Sequence, residues 1–577
     1  MTQGNQGMSR RGMLAGSGAV AVAGTLAACS RNSSADSDHW DETCDVLCVG
    51  SGAAGATAAI AAAENGAKVL VIEKMPVAGG TTAKSGGVAW IFNHFILQEQ
   101  GIEDRKQDAL KYAVRYGFSR EYDPASPTLG LDETRFGVIE AFYDKGSEAI
   151  DFLRKTGAVQ FKQFRMYQVD KPAPDYADHL PENKVPTGRC LEPAVGSGST
   201  AGGGSLAMQL SDYLASKNVP VWLDTKATRI VRDGEGNVVG VEAEREGEPV
   251  RIRATKGVVF ASGGYSHNVE LCNLHQPSVY GSCSMPGSTG DFIPLAQDAG
   301  AKMGNLSYAW RSQVVLGEAL ADRGVGLGAF VLPGDSMILV NKYGKRIVNE
   351  KRDYNDRTQS HFPYDPGREE YPNHLQLMLF DARSLDAFGG AFPLPAPGAR
   401  QPYMVEGSSW ADLAAKVDAQ LAEWAPRTGG VKLDASFLPN LNDTISRFNG
   451  YAEDGEDPEF SRGRYLYDRE WHLLFSSRRE GTSQPENPYP NLTMHPFAKS
   501  GPYYAIVLAA GTLDTAGGPQ INANAQVLGP DNAPIPGLYA AGNCISSPTG
   551  QAYLGAGGTI GPALAFGYIA GRHASAA

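Results

Sequence analysis

A glycine-rich turn between two short apolar strands constrains the fold of this 577-residue chain more than any other feature. Residues 44–49 have the composition of a buried strand, residues 50–55 read Gly-Ser-Gly-Ala-Ala-Gly, and an alanine-rich helix follows as far as Asn65. A second apolar strand, residues 68–72, ends at Glu73. This order of strand, turn, helix and strand predicts a βαβ unit of the dinucleotide-binding type.

Each part of this unit suits the binding of a dinucleotide. Gly50 permits the tight turn, Gly52 lets the backbone approach the diphosphate, and Gly55 lets the helix pack against the strand. Unpaired N–H groups and the dipole at the start of the helix favour negative charge. Glu73 can accept hydrogen bonds from the ribose hydroxyls. A purely structural glycine loop would not need all of these parts in this order.

Three further stretches favour FAD over NAD as the dinucleotide. Residues 78–90 are rich in glycine and hydroxyl side chains, where an NAD-binding domain would have a plain helix. A predicted β-meander over residues 219–260 closes with Ala-Ser-Gly-Gly at 261–264, and residues 537–543 have the pattern of a strand and turn beside the flavin. Together these stretches resemble the flavoprotein superfamily of fumarate reductases and succinate dehydrogenases over essentially the whole mature chain.

The resemblance implies the fold class, the cofactor and the domain boundaries. The implied fold is α/β: a Rossmann-like FAD-binding domain of the glutathione reductase type, with an inserted α+β substrate domain that caps the site. The FAD-binding domain would comprise residues 44–303 and 505–577, and the inserted domain residues 304–504. No second Gly-x-Gly-x-x-Gly has strand–helix context, so FAD and not NAD(P)H is the predicted cofactor. The predicted FAD-binding residues are Gly50, Gly52, Ala53, Ala54, Gly55, Glu73, Lys74, Gly80, Thr81, Thr82, Ser85, Gly86, Gly87, Ala261, Gly263, Gly542 and Asn543.

The N-terminus has the pattern of an export signal. Ser9-Arg10-Arg11 precedes a Gly/Ala-rich apolar run, residues 12–28, that is too short and too weakly hydrophobic for a membrane span. The paired arginines indicate the twin-arginine (Tat) route. The run ends in Leu-Ala-Ala-Cys29, which resembles a lipoprotein cleavage site. We therefore expect a signal peptide over residues 1–29, a polar tether over 30–43, and a location in the cell envelope outside the cytoplasm, with Cys29 lipidated.

Charge and cysteine spacing exclude several other classes of protein. The formal net charge of −12 argues against nucleic-acid binding, because no basic stripe is available to neutralise phosphates. None of the six cysteines after Cys29 forms a Cys-x-x-Cys pair or a haem attachment motif. The histidines show no metal-ligand spacing, so no metal site is predicted. We expect no electron-transfer centre other than the flavin.

A candidate catalytic tyrosine follows an Asn-Glu pair in the predicted insertion. Residues 339–354 resemble the superfamily's β-hairpin and its Asn-Glu signature, here Asn349-Glu350. Five residues after that asparagine, fumarate reductases have the arginine that delivers a proton, and 3-ketosteroid dehydrogenases have a tyrosine that accepts one. This chain has Tyr354, so the resemblance implies a proton acceptor; packing in an aromatic-rich cap is the alternative role. Arg352 is out of phase with the motif and is predicted to form a salt bridge.

The cations that hold a dicarboxylate in fumarate reductases are missing. The expected His-x-Thr-x-Gly-Gly stretch reads Leu-Asp-Thr-Ala-Gly-Gly at 513–518. No arginine occurs between Arg479 and Arg572, where the superfamily has a substrate-binding one. A buried dicarboxylate without such cations would have unpaired charges. A small diacid is therefore not the expected substrate.

A phenol and a glycine turn replace those cations. Residues 553–568, which begin Tyr-Leu-Gly-Ala-Gly-Gly-Thr, closely resemble the C-terminal motif of 3-ketosteroid Δ1-dehydrogenases. The resemblance implies that the hydroxyl of Tyr553 and the N–H of Gly557 hold a ketone oxygen. The related Δ4-dehydrogenases have a serine between them, and Gly555 therefore favours the Δ1 type. The family's assisting tyrosine lies in an Asp-Tyr…Pro-Glu segment; residues 175–182 depart from it, and either Tyr176 or His179 could assist.

The resemblance implies oxidation of a CH–CH bond next to a ketone. Tyr553 and Gly557 would polarise the ketone, Tyr354 would remove the α-proton, and hydride would pass to flavin N5. A phenol needs a pKa lowered from about 10 to act as this base. The expected substrate is a 3-ketosteroid or a similar enone-forming small molecule.

Two other functions stay open on the sequence. One is an exported respiratory reductase of an enone or another conjugated C=C metabolite, which would take electrons from a membrane quinone or cytochrome partner. The other is a flavin-binding or electron-shuttling lipoprotein without a substrate, against which the cap and the two candidate tyrosines argue.

Overall fold

The computed structural model of this protein describes residues 39–166, 170–195, 201–396, 398–474 and 486–577. The predicted signal peptide, the twin arginines and Cys29 lie outside these residues, as does the tether up to residue 38. Among the helices described, none combines the length and apolar character needed to cross a bilayer.

Strands in this part of the chain build two large sheets and two small ones. They are β1 (Glu42–Val49), β2 (Val69–Ile72), β3 (Ala89–Trp90), β4 (Phe161–Gln163), β5 (Arg165–Met166), β6 (Lys171–Pro172), β7 (Cys190–Pro193), β8 (Val221–Trp222), β9 (Thr225–Arg232), β10 (Val238–Arg245), β11 (Glu248–Phe260), β12 (Gly281–Ser282), β13 (Ala309–Val315), β14 (Met337–Val340), β15 (Gln376–Asp381), β16 (Met404–Gly407), β17 (Tyr503–Thr515), β18 (Gln526–Leu528) and β19 (Pro534–Ala540).

Helices cover both large sheets. They are α1 (Ala53–Glu64), α2 (Gly80–Lys84), α3 (Phe95–Glu99), α4 (Lys106–Gly117), α5 (Glu133–Thr156), α6 (Gly202–Ser216), α7 (Val269–His275), α8 (Phe292–Asp298), α9 (Leu316–Ala321), α10 (Tyr354–Gln359), α11 (Ala382–Phe388), α12 (Trp410–Thr428), α13 (Phe437–Asp454), α14 (Leu466–Leu474) and α15 (Ile560–Ala576), with a 3₁₀ turn at Gly542–Cys544.

The first sheet has a parallel centre in the order β18-β19-β11-β1-β2-β8. β1 pairs in parallel with β2 and β11, and β11 also pairs in parallel with β19. β9 and β10 extend β11 as an antiparallel meander. Helices cover both faces of a parallel sheet, which is why residues 46–48 of β1 are completely buried.

The packing of α1 against α15 explains their small side chains. A Cβ added at Gly567 of α15 would lie 2.4 Å from the Ala54 carbonyl oxygen, and one at Gly571 would lie 2.2 Å from that of Ala58. Only glycine permits backbones to come this close. The alanine-rich sequence of α1 and the glycines of α15 therefore form one interface, and this interface places the start of α15 beside the turn after β1.

The second sheet is organised by the long strand β17. β12 and β15 flank it, β14 forms the edge beyond β15, and β13 and β16 also pair with β17. β12 precedes residue 304, and β17 runs on past residue 504. The boundaries of the inserted domain at 304 and 504 stay a prediction.

The structure confirms the predicted βαβ unit and the FAD-binding fold class, since β1, α1 and β2 follow one another as expected. The hairpin predicted within residues 339–354 is wrong in one respect. Its strands are reduced to a single bridge between Val340 and Arg346. β14 pairs instead with the distant β15, which offers four consecutive partners from Leu377 to Phe380.

We predict that Gly55→Ala will destabilise the FAD-binding unit, because its methyl group would lie 1.9 Å from the Gly50 carbonyl oxygen. Overpacking against fixed backbone costs about 1–3 kcal/mol of the free energy of unfolding. Gly52→Ala is the matched control, since its methyl would make only ordinary contacts, at 3.6 Å from Thr82 Oγ1 and 3.8 Å from the Gly79 carbonyl oxygen. Thermal melting of the FAD-free proteins should show a lower melting temperature for Gly55→Ala alone. Equal melting temperatures for the two variants and the wild type would contradict this account of the turn.

Candidate active site

A cleft opens at the end of β1 and the start of α1, where the sequence places the dinucleotide. Most of the predicted FAD-binding residues line it: Gly50, Gly52, Ala53, Ala54, Glu73, Lys74, Gly80, Thr81, Thr82, Ser85, Ala261, Gly263, Gly542 and Asn543. Gly55, Gly86 and Gly87 are not part of the lining. Gly55 packs against the turn, and Gly87 lies against the backbone of Gly202.

The donors and acceptors of this cleft fit FAD. α1 begins at Ala53, directly after its N-cap residue Gly52, and the Ala53 N–H donates to Thr82 Oγ1 at 2.9 Å. Glu73 is held at the end of β2 because its Oε2 accepts hydrogen bonds from Ser51 N at 3.1 Å and Ser51 Oγ at 2.7 Å. The charge of Lys74 is paired with Asp291 at 2.5 Å. A helix start whose N-cap is a glycine suits the diphosphate, and the oriented carboxylate of Glu73 suits the ribose.

Asp514 also lines the cleft, although no sequence motif predicted it. Its carboxylate accepts hydrogen bonds from Gly264 N at 3.0 Å, Ser266 Oγ at 2.8 Å and Asn543 Nδ2 at 3.2 Å. Burial raises the pKa of Asp514 above its ordinary value. It therefore ties the end of the first sheet to β17 and to the turn at Asn543. The sequence feature that could have identified Asp514 is its position as an acidic residue inside an apolar strand.

Three tyrosines that are far apart in the sequence form one buried cluster. The hydroxyl of Tyr176 donates a hydrogen bond to that of Tyr354, with 3.0 Å between the oxygens. The ring of Tyr553 stacks on Tyr176 with 5.4 Å between centroids and meets Tyr354 edge-on, also at 5.4 Å. The structure thus brings together all three predicted catalytic tyrosines.

Gly557 lies in the turn that joins Tyr553 to α15. Its φ of +90° favours glycine, and a Cβ there would lie 2.3 Å from the Val88 carbonyl oxygen. Its own carbonyl accepts a hydrogen bond from Trp90 N at 3.1 Å. A Cβ at Gly555 would lie 2.4 Å from the Trp90 ring. A serine at that position, as in the Δ4-dehydrogenases, would not fit.

Tyr176, and not His179, reaches the candidate base. The ring of His179 instead packs on Tyr465 with 4.3 Å between centroids. Arg352 forms the predicted salt bridge, with 3.3 Å between its Nη1 and Asp468 Oδ1. Tyr176 is therefore the residue placed to assist Tyr354.

The expectation of a lowered phenol pKa is wrong in this structure. Burial raises the pKa of Tyr354 well above its ordinary value, although the hydrogen bond from Tyr176 acts in the opposite direction. Burial raises the pKa of Tyr553 as well. Both phenols therefore hold their protons at neutral pH.

A buried ionic network holds the backbone around the cluster. Asp175 accepts hydrogen bonds from Trp90 Nε1 at 2.7 Å and from Arg189 Nη1 at 2.5 Å. Arg189 also binds both carboxylate oxygens of Asp104, at 2.7 and 2.8 Å. The next residue after Asp175, Tyr176, donates its N–H to the Leu554 carbonyl at 3.0 Å. The network thereby fixes the loop that bears Tyr176 against the strand end that bears Trp90.

The chain matches a known family and known enzymes over most of its length. Residues 45–560 match the family model described as FAD binding domain. The chain is 30% identical to 4-oxocyclohexanecarboxylate 2-dehydrogenase of Sinomonas cyclohexanicum, with 92% of each protein covered. It is 31% identical to 3-oxosteroid 1-dehydrogenase of Mycolicibacterium smegmatis, covering 91% of this chain and 96% of that protein.

A solved structure is also similar to this chain in its fold. The chain is similar to 3-ketosteroid Δ1-dehydrogenase from Sterolibacterium denitrificans, solved in complex with 1,4-androstadiene-3,17-dione, with a TM-score of 0.73 and 26% identity. The match covers 93% of this chain and 100% of that one.

A buried carboxyl, Asp353, and a half-buried one, Asp356, lie beside Tyr354 at the start of α10. Asp353 Oδ1 caps the helix by accepting a hydrogen bond from Asp356 N at 3.0 Å. Asp353 Oδ2 has no hydrogen-bond partner in the part of the chain that the structure describes. Burial and repulsion from Asp356 raise the pKa of Asp353 to about 8. An unfolded aspartate has a pKa of about 3.9, so between these values the folded protein holds a proton that the unfolded chain releases.

We predict that the free energy of unfolding of the protein falls as the pH rises from 6 to 8. In the Asp353→Asn variant the same free energy should fall less. The asparagine keeps the capping oxygen but cannot ionise. One such group changes the free energy of unfolding by at most about 1.4 kcal/mol per pH unit. Melting temperatures at pH 6 and 8 would measure the difference, with the exposed Asp531→Asn as the control that follows the wild type. Parallel pH profiles for all three proteins would contradict the assignment.

Proposed function

Because the chain belongs to the FAD binding domain family, as a 3-ketosteroid Δ1-dehydrogenase-like member of the fumarate reductase superfamily, we propose that its substrate is a ring ketone. The protein is an FAD-dependent oxidoreductase that acts on CH–CH bonds. The relatives named above act on two different ring ketones, a 4-oxocyclohexanecarboxylate and a 3-oxosteroid. The ring ketone is the feature that they share, and we propose it for this chain.

The hydrogen bond from Tyr176 to Tyr354 is the observation that carries the proposal. It gives Tyr354 a donor that stabilises its phenolate, and Tyr354 is the candidate base. An arginine at this position could not accept a proton, whereas the ionised form of a phenol can. The cluster therefore suits removal of a proton from carbon.

Tyr553 and Gly557 supply the second half of the chemistry. In the proposed reaction the Tyr553 hydroxyl and the Gly557 N–H donate to the ketone oxygen and stabilise the negative charge that develops there. This polarisation acidifies the neighbouring C–H, whose proton Tyr354 takes. Gly52, Glu73 and Asn543 line the cleft that would hold FAD, and FAD would supply the hydride acceptor there.

The raised pKa of Tyr354 favours a second candidate, the reverse reaction. A protonated phenol is the form that donates a proton to an activated C=C bond, and burial keeps Tyr354 in that form at neutral pH. The protein would then be a reductase of enones or other conjugated C=C metabolites, fed by a membrane quinone or cytochrome. The pattern of residues 9–29 supports this candidate, because export places the enzyme beside such carriers.

We predict that Tyr553→Phe and Tyr354→Phe will each lower kcat/KM for a ring ketone by about 10²–10³-fold while FAD stays bound. Tyr176→Phe should lower it by about tenfold, since it removes one hydrogen bond to the base. Anaerobic mixing of the FAD-loaded protein with saturated 3-ketosteroids and cyclohexanones measures this as flavin bleaching.

Tyr467→Phe is the matched control. Tyr467 packs on Tyr176 with 5.1 Å between ring centroids, and its hydroxyl has no hydrogen-bond partner among the described residues. If Tyr467→Phe loses as much activity as Tyr553→Phe, packing and not chemistry accounts for the cluster. If no ketone bleaches the flavin but enones reoxidise the dithionite-reduced protein, the reductase direction is correct.

We further propose Tat-dependent export and lipidation of Cys29, on the sequence pattern of residues 9–29. Replacing both Arg10 and Arg11 by lysine should leave the precursor in the cytoplasm with FAD bound. Cys29→Ala should release the exported protein from the membrane fraction. Fractionation with detection of the protein tests both; membrane association of the Cys29→Ala variant would exclude the lipid anchor.

A further inference from the structure

A cavity of about 600 Å³ lies beside the tyrosine cluster. Its lining includes a near neighbour of each catalytic tyrosine: Ala177 follows Tyr176, Asp356 lies two residues after Tyr354, and Gln551 lies two residues before Tyr553. The three tyrosines are not themselves in the lining, so the cavity meets the cluster through these neighbours. Its volume is large enough for the rest of a substrate whose ketone is held by Tyr553.

Polar contacts tie this side of the cavity to the active site. Asn355 Nδ2 donates to the Gln551 carbonyl at 3.1 Å, and Gln359 Nε2 donates to Gln551 Oε1 at 3.3 Å. Both donors are on α10, whose first residue is Tyr354. A ligand in the cavity therefore contacts the helix that positions the candidate base.

Two arginines give the cavity its charge. Arg115, half-buried near the end of α4, and Arg120, exposed just after it, both line the cavity. Neither forms an ion pair with another residue in the part of the chain that the structure describes. His179 is a further lining residue.

The two acidic residues of the lining do not neutralise these arginines. Glu121 is held by Arg135 through two hydrogen bonds, of 2.9 and 2.6 Å. Asp356 accepts a hydrogen bond from the Tyr116 hydroxyl at 3.0 Å, and burial raises its pKa. The two arginines are therefore left to face the cavity with their charge unmatched.

This lining is unsuited to a purely apolar substrate. The far rings of a neutral steroid would remove water from two guanidinium groups without offering an acceptor, which costs free energy. A carboxylate would instead form charge-assisted hydrogen bonds with the same groups.

We propose that this cavity binds a carboxylate at the end of the substrate remote from the ketone, with Arg115 and Arg120 as its ligands. The substrate class is then a cyclic keto acid. The inference rests on the proposed function, because the ketone end is still held by Tyr553 and Gly557. The carboxylate could belong to a small ring or to the side chain of a steroid acid, and the size of the accepted ring system distinguishes the two.

The test compares each keto acid with its own methyl ester on the FAD-loaded protein, by the rate of anaerobic flavin bleaching. The probes are 4-oxocyclohexanecarboxylate and 3-oxocholanoate. We expect the wild type to prefer at least one acid over its ester by about tenfold or more in kcat/KM, and to lose this preference at high salt. Arg115→Gln and Arg120→Gln should each lower the acid-to-ester ratio by about tenfold.

Arg105→Gln is the control variant, because Arg105 is an exposed arginine paired with Glu103 at 3.2 Å. Its acid-to-ester ratio should equal that of the wild type. Equal rates with acid and ester in the wild type, or equal losses of both in the arginine variants, would overturn the carboxylate site while the ring-ketone function stands. If neither acid nor ester bleaches the flavin, and their enone forms do not reoxidise the reduced protein, the proposed function and this inference both fall.

Discussion

Asp175 is the residue on which the geometry of the active site depends most. Its two carboxylate oxygens connect Trp90 to Arg189, and its chain neighbour is Tyr176. Burial raises the pKa of Asp175 to about 6, while the charge of Arg189 favours ionisation. Removing one partner of such a buried pair costs about 3–5 kcal/mol, because the other charge is left uncompensated. The same carboxylate thereby holds the assisting tyrosine on one side and, through Trp90, the Gly557 turn on the other.

The cluster also decides which phenol exchanges a proton. Burial raises the pKa of all three tyrosines, so desolvation does not distinguish them. One hydrogen bond separates Tyr354 from Tyr176: Tyr176 donates to Tyr354, which lowers the pKa of Tyr354 and further raises that of Tyr176. The hydrogen bond between Tyr354 and Tyr553 acts in the other sense, since it raises the pKa of Tyr354 and lowers that of Tyr553. Of Tyr176 and Tyr354, Tyr354 is therefore the one that can lose a proton, and Tyr176 remains its donor. The direction of the reaction, oxidation or reduction of the substrate, depends on which groups offset the rise in the pKa of Tyr354 that burial causes.

The sequence was sufficient to predict the structure wherever the contacts that determine that structure are local. The β1–α1–β2 unit is read from about thirty consecutive residues, because strand period, glycine spacing and the terminal acid all lie within it. The assisting residue could not be chosen between Tyr176 and His179, since the decisive contact joins residues 178 positions apart. The prediction of a hairpin after β14 was wrong for the same reason, because β14 pairs over four residues with the distant strand β15. Asp514 and the Arg189 network are also long-range pairs, without a motif that predicts them.

The position of the positive charge explains how a fumarate reductase framework can serve a ketone. The C-terminal arginine of that framework has no counterpart between Arg479 and Arg572, and Tyr553 and Gly557 offer the ketone neutral donors in the proposed reaction. Neutral donors suit a carbonyl, because they stabilise its developing charge without binding a resting anion. The charge of the cavity lies instead at Arg115 and Arg120, on a segment that the superfamily motifs do not include. A substrate with one ketone and one carboxylate would therefore bind in one orientation, with its reacting carbon beside Tyr354.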